Sequence, residues 1–217
     1  MPTNGSLTEG DFDLTSCSSF SADERLSVDV DFYAVAALTD YVAAVPALDG
    51  WPAAPDLATA RLRLEPLRVE HAEQLAPLLD DQGLHTFIGG HPATVDELRG
   101  TYARQVVGHS PDGDERWLNW IMRHHPSGAA VGTVQATVRT QDGGTAAELA
   151  WVVASAYQRR GYGREAATAI AEWLRQHGAQ QIIAHIHPEH DASMAIARAL
   201  GLAPTSVRVD GEVRWVG

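Results

Sequence analysis

Between an apolar run, Glu148-Leu149-Ala150-Trp151-Val152-Val153, and a helical run from about Gly163 to His177 stands the octet Gln158-Arg159-Arg160-Gly161-Tyr162-Gly163-Arg164-Glu165. A strand, a glycine-rich turn and an amphipathic helix in succession restrict the chain to folds in which a helix leaves a sheet and packs back upon it. Unpartnered backbone N–H groups collect at such a helix start, and glycines let a ligand come close to them. The product is an anion site, most naturally for phosphate or pyrophosphate. Arg159, Arg160 and Arg164 add fixed positive charge suited to phosphate oxygens.

The signals around this octet are regular from Ala60 onward. Arg61-Leu62-Arg63-Leu64 alternates as a half-buried strand does, and Val69 to Leu79 has helical spacing. Thr94-Val95-Asp96-Glu97 matches a capping box, opening a helix that reaches about Val107. Trp117–Arg123 and Ala130–Arg139 read as a hairpin joined by Pro126-Ser127-Gly128, and Asp142-Gly143-Gly144 turns the chain into the strand at Glu148. A strand at Gln181–Ile186 and a helix over about Asp191–Leu200 follow. Asp210-Gly211 then joins two final strands as a two-residue hairpin turn. The order predicts an α+β domain over residues 57–217, a mixed sheet of about seven strands, mostly antiparallel, with about four helices.

Residues 1–56 differ. They carry ten acidic residues against one base, Arg25. Asn4 to Asp31 is rich in Ser, Thr, Asp and Gly and reads as disorder. Phe32–Val45 spells either part of a floppy tail or a short helix that docks on the domain or at a dimer interface, so a homodimer stays open. The net charge of −12 argues against nucleic acid, which needs a basic face. No apolar run is long enough to span a membrane. The first residues lack a secretory pattern. Cys17 is the only cysteine, which rules out an internal disulfide and favours the cytoplasm.

Gly161-Tyr162-Gly163-Arg164-Glu165-Ala166 formally matches the dinucleotide fingerprint. Seven residues, Ala154 to Arg160, separate it from its strand, however, and only 54 residues follow Gly163, too few for the further parallel strands. The phosphate loop of nucleotide hydrolases fails because the chain has no lysine. What fits is Gln/Arg-x-x-Gly-x-Gly/Ala, so Gln158 to Gly163 resembles the cofactor signature of the GNAT acyltransferases. Thr59 to Leu67 is similar to the opening of the RimJ/RimL-type branch. His187-Pro188-Glu189-His190-Asp191-Ala192-Ser193 followed by Ala199-Leu200-Gly201-Leu202 resembles a later motif, with His190 where Asn usually stands.

The resemblance implies a GNAT fold and acetyl-CoA as acyl donor. It implies that the strands at Glu148 and Gln181 splay apart, with the pantetheine arm pairing to backbone near Trp151, Val152 and Val153. The pyrophosphate would lie on the N–H groups of Arg159 to Arg164, in the signature that Gln158 opens, with His190 and Ser193 near the pantetheine and sulfur. Glu148 stands where many relatives place a carboxylate base; otherwise it is a strand-edge carboxylate or binds the substrate ammonium. Ser193 otherwise caps its helix. The position where several relatives carry a tyrosine acid is Ala197.

Acceptor candidates are His85, Phe87, Gly89, His91, His187 and one of Trp117 and Trp120, which alternate in face; Trp120 is taken for the pocket. His185, His187 and His190 invite a zinc reading, but no metal is expected, because the motif accounts for His190 without one. The expected reaction is transfer of acetyl to a primary amine, on a small molecule or a protein N-terminus, by direct attack in a ternary complex. The alternative is a non-catalytic acyl-CoA-binding module whose N-terminal segment holds a partner.

Overall fold

Alternating side chains draw eight strands into one sheet in the order β1-β2-β3-β4-β5-β6-β8-β7. The computed structural model describes residues 48–88 and 90–217. The expectations for Asn4 to Val45, and for Gly89, lie outside them. The strands are β1 (Leu57–Ala58), β2 (Leu62–Pro66), β3 (Glu115–His124), β4 (Ala130–Gln141), β5 (Gly144–Val153), β6 (Gln181–Ile186), β7 (Ala203–Val209) and β8 (Glu212–Val216). The helices are α1 (Ala72–Leu79), α2 (Gln82–Ile88), α3 (Val95–Gln105), α4 (Tyr162–Gln176) and α5 (Asp191–Ala199). Every neighbouring pair is antiparallel except β5 and β6, which are joined through α4.

One face of the sheet makes the main core. Leu118, Trp120, Val134, Ala136, Val138, Leu149, Ile182 and Trp215 bury against Ala166, Ala167, Ile170, Trp173 and Leu174 of α4. These α4 positions recur three and four apart, and the alanines let the helix sit close to the strands. Each large apolar side chain buried there contributes about 1.5–3 kcal/mol. On the other face Ile121 meets Ala72 and Leu75 of α1 and Tyr102 of α3. That face also carries Thr137, Arg139, Glu148, Ile183 and, by alternation, His185.

Local expectations meet the structure with some differences. Thr94 Oγ1 accepts from the N–H of Glu97, and the Glu97 carboxylate accepts from the N–H of Thr94 at 2.8 Å, completing the capping box. Asp142 and Asp210 sit at φ 53° and 50°, each followed by a positive-φ glycine, as two-residue hairpins require. The first helical run divides into a 3-10 turn over Val69–His71 and α1, and α2 is an additional helix. The short β1 brings the strands to eight. Residues 48–56, grouped by sequence with the N-terminal extension, pack on the domain. Leu48 is buried, Trp51 meets Trp173 edge-on at 6.5 Å, and the Pro55 carbonyl accepts from Trp120.

Candidate active site

β5 and β6 pair over only three positions, Ala146–Glu148 against Gln181–Ile183. Beyond them β5 runs on to Val153 beside β4, while β6 turns its other edge to β8. The result is a fork with Glu148 and Ile183 at its throat and Trp151, Val152 and Val153 along one arm. An exposed strand edge of this kind offers main-chain N–H and C=O groups to an extended ligand.

The glycine octet closes the end of that arm. Gln158 Nε2 donates to the Val153 carbonyl at 3.1 Å and ties the loop back to β5, and Arg160 Nη2 donates to the Ala156 carbonyl at 3.2 Å, in the 3-10 turn that follows β5. Arg159 and Gly161 hold φ of 60° and 80°. The left-handed region costs a non-glycine residue about 1–2 kcal/mol, a strain kept where the surroundings enforce it. Gly161 is the N-cap of α4 and supplies no side-chain cap, which leaves first-turn N–H groups to an external acceptor. At Gly163 a Cβ would come within 3.1 Å of Ile196 and 3.2 Å of Val153, so the glycine sets the close approach of α4 to β5 and α5. Tyr162 is buried, with its ring under Arg61. These features fit a pyrophosphate-bearing ligand lying from the fork to α4.

A latch from the turn between β1 and β2 fixes this loop. Glu165, in the first turn of α4, accepts from Thr59 Oγ1 at 2.6 Å, Arg61 N at 2.8 Å and Arg61 Nε at 2.7 Å. Arg61 Nη1 also donates to the Arg160 carbonyl at 2.9 Å. Burial alone would raise the Glu165 carboxyl; the bonds from Thr59 and Arg61 outweigh it and hold the group below the usual value.

At the throat, Glu148 accepts from His185 Nδ1 at 2.9 Å and pairs with Arg139 Nη2 at 3.2 Å. Burial would raise this carboxyl too, but the His185 hydrogen bond and the neighbouring charges win and lower it. Glu212 feels the same cluster differently. Burial raises it, Glu148 and Asp210 add to the rise, and His185 and His187 oppose it.

Across the opening, Ser193 is buried and accepts from Trp151 Nε1 at 3.2 Å; it makes no cap bond at the start of α5. His190 stacks on Phe87 at 4.3 Å, and His187 meets the same ring at 5.6 Å. Burial, then the nearby His187, lowers the His190 imidazole. α2 is anchored beneath this stack, where Asp81 accepts from Ser155 in the turn after β5. His85 lines a cavity of about 210 Å³ between α1, α3 and the sheet, with Leu67, Leu84, Tyr102, Asn119 and Gln135. His91 is exposed and its ring turns to the Pro92 carbonyl.

Trp120 requires correction. Its position in β3 borders that cavity, but its ring is 1% exposed, donates to the Pro55 carbonyl at 2.8 Å and meets Trp173 edge-on. It is a core residue. Trp117, on the opposite face, donates to Glu115.

The partnership of His185 with Glu148 escaped sequence reading because it depends on the β5–β6 register. Given Glu148 opposite Ile183, alternation along β6 would have placed His185 on the Glu148 face.

A family description, acetyltransferase (GNAT) domain, matches residues 61–203. No curated protein matches the sequence. Among solved structures, an acetyltransferase from Agrobacterium tumefaciens is 20% identical with a TM-score of 0.60, over 77% of this chain and 96% of that one. RimL, a ribosomal-protein α-N-acetyltransferase in complex with coenzyme A, is 13% identical with a TM-score of 0.59, over 74% and 96%. A microcin self-immunity acetyltransferase in complex with acetyl-CoA and AMP is 11% identical with a TM-score of 0.56, over 73% and 93%. At these identities the structures report shared fold.

Proposed function

Because the chain belongs to the GNAT acetyltransferase family, with acetyl-CoA as donor, we propose that it acetylates a primary amine by direct attack in a ternary complex. The observation that carries this reading is the fork between β5 and β6, which opens at Glu148 and runs toward the uncapped start of α4. Backbone groups of Trp151 to Val153 bind the pantetheine arm along the fork, and N–H groups from Arg159 to Arg164 receive the pyrophosphate. An anion at a helix start gains about 0.3–2 kcal/mol from the helix field, and each N–H bond adds to it.

Acyl transfer requires an amine freed of its extra proton, a stabilised oxyanion and a thiolate that can leave. Proton removal is assigned to the Glu148 end of the fork. Ser193, held by Trp151, stands near the sulfur and can donate its hydroxyl hydrogen there. Ala197 has no proton to give, so no side-chain acid is assigned to that position. Cys17 lies far in sequence from every residue of the fork, and no acyl-cysteine step is invoked.

The acceptor is a small amine or a protein N-terminus. Among proteins that share the fold, one is a ribosomal-protein α-N-acetyltransferase and another a microcin self-immunity acetyltransferase, and a shared fold favours neither acceptor over the other. Phe87, His187 and His190 form one wall of the acceptor side. Thiol release from acetyl-CoA, followed with polyamines, aminoglycosides, amino acid derivatives and short free-N-terminal peptides, tests the reading. Amine-dependent release from at least one class is expected. Tight acetyl-CoA binding with no release from any class would overturn it.

A further inference from the structure

Glu148 is bound in a way that changes its chemistry. An ionised carboxylate only accepts hydrogen bonds, so the contact of 2.9 Å to His185 Nδ1 requires the hydrogen to sit on Nδ1. In the neutral ring Nε2 then keeps its lone pair and is the proton acceptor of the pair. This is the logic by which a buried carboxylate fixes the tautomer of a catalytic imidazole. The carboxylate itself, already paired with Arg139 at 3.2 Å, is a poor receiver of a further proton.

Position agrees with chemistry. Glu148 is the last β5 residue paired to β6, and His185 lies two residues beyond Ile183, the last β6 residue paired to β5. The pair therefore sits where the strands part, at the throat through which donor and acceptor must meet. Both side chains are largely but not wholly covered, at 15% and 16% exposure. His185 faces Glu148 from β5, Arg139 from β4 and Arg214, its register partner, from β8; Glu212 and His187 complete the charged surroundings.

We propose that His185 Nε2 takes the proton from the acceptor ammonium, with Glu148 as the positioning residue that fixes its tautomer and pairs with the imidazolium. The proposal rests on the acetyltransferase reading. One proton passes from the ammonium to Nε2, and the amine lone pair forms the new C–N bond at the thioester carbonyl. As the C–S bond breaks, its electron pair leaves with sulfur, and the second nitrogen-bound proton passes to the thiolate. The imidazolium returns its proton to solvent.

The pH dependence of kcat/KM in wild type, His185→Gln and Glu148→Gln, together with the imidazole nitrogen spectrum of histidine-labelled protein, tests this. Wild type should show an ascending limb that reports the loss of a proton from the base. His185→Gln should lose that limb and about a hundredfold or more in rate. Glu148→Gln should keep the limb, moved to lower pH because the imidazolium has lost its counter-charge, with a smaller loss of rate. The spectrum should show hydrogen on Nδ1 of His185 in the neutral ring. Hydrogen on Nε2 instead, or a His185→Gln variant within about threefold of wild type with its limb intact, overturns the proposal. Wild-type protein that releases no thiol with any amine overturns the acetyltransferase reading as well, an outcome the spectrum alone cannot produce.

Discussion

Gly132 shows how a single residue controls the arm of the fork. It sits in β4 opposite Val153, beside a bulge where Met122 pairs with Gly132 and Arg123 with Ala130, leaving Val131 extra. A bulge of this kind bends the strand and increases its twist. A Cβ at Gly132 would lie 2.1 Å from the Val152 carbonyl oxygen and 2.8 Å from the end of Met122. The methionine can move, but the carbonyl belongs to the strand backbone that lines the fork. Gly132→Ala is expected to destabilise the domain by about 1–3 kcal/mol, as overpacking does, and to weaken acetyl-CoA binding at the same time. Thermal unfolding and calorimetric titration check both; an unchanged melting temperature would mean that β4 and β5 can separate without strain.

Among the elements, the decisive contact joins the β1–β2 turn to the start of α4, with Arg61 and Glu165 104 positions apart in sequence. Arg61 is about half exposed, so its ion pair with Glu165 adds little to global stability. Its value is positional, because the same guanidinium also holds the Arg160 carbonyl and so fixes the strained turn. Arg61→Ala should raise the dissociation constant for acetyl-CoA severalfold while shifting the melting temperature little. Arg61→Lys should not restore binding, since an ammonium cannot span two acceptors as a planar fork does. Equal affinity in all three proteins would remove the latch from the argument.

The same scale explains what the sequence made legible. The glycine octet, the Thr94 capping box and the Asp-Gly hairpins are local, each needing only a few neighbouring residues. The α+β order and the fork strand at Glu148 followed from them. Three features were out of reach because they depend on long-range packing. Trp120 and Trp117 alternate, but which faces α4 is decided by the Pro55 carbonyl and Trp173. α2 is a short helix whose start is fixed by Asp81 meeting Ser155 across the fold. His185 became a partner of Glu148 only once the parallel register was known.

Across the whole molecule the lowered carboxylates and buried imidazoles act in one direction, with Glu212, which burial raises, acting against them. Glu65 is buried beneath Arg123, Arg68 and His71; burial alone would raise its carboxyl, but the Arg123 bond and the surrounding charges lower it. Glu148 and Glu165 are lowered as well. A carboxylate with a depressed folded value contributes stability above its unfolded value and loses it as pH falls through the folded one. His71 is 2% exposed, and burial, more than any neighbouring charge, lowers its imidazole. Its Nδ1 accepts from the Arg68 N–H at 3.1 Å, a bond that a protonated ring would lose. The unfolded chain therefore takes up this proton first, and stability falls with pH from about the ordinary imidazole value downward. The melting temperature should be level above about pH 7, decline gently below about 6.5 as His71 and His190 act, and fall steeply below about 4.5 as the carboxylates join them. His71→Gln should shrink the gentle section, leaving the share of His190, which burial also lowers, and should leave the steep one. A wild-type melting temperature that stays level between pH 7.5 and 5.5 would show that the imidazole meets no greater penalty for protonation in the fold than in the open chain, and His71 would then have no part in acid stability.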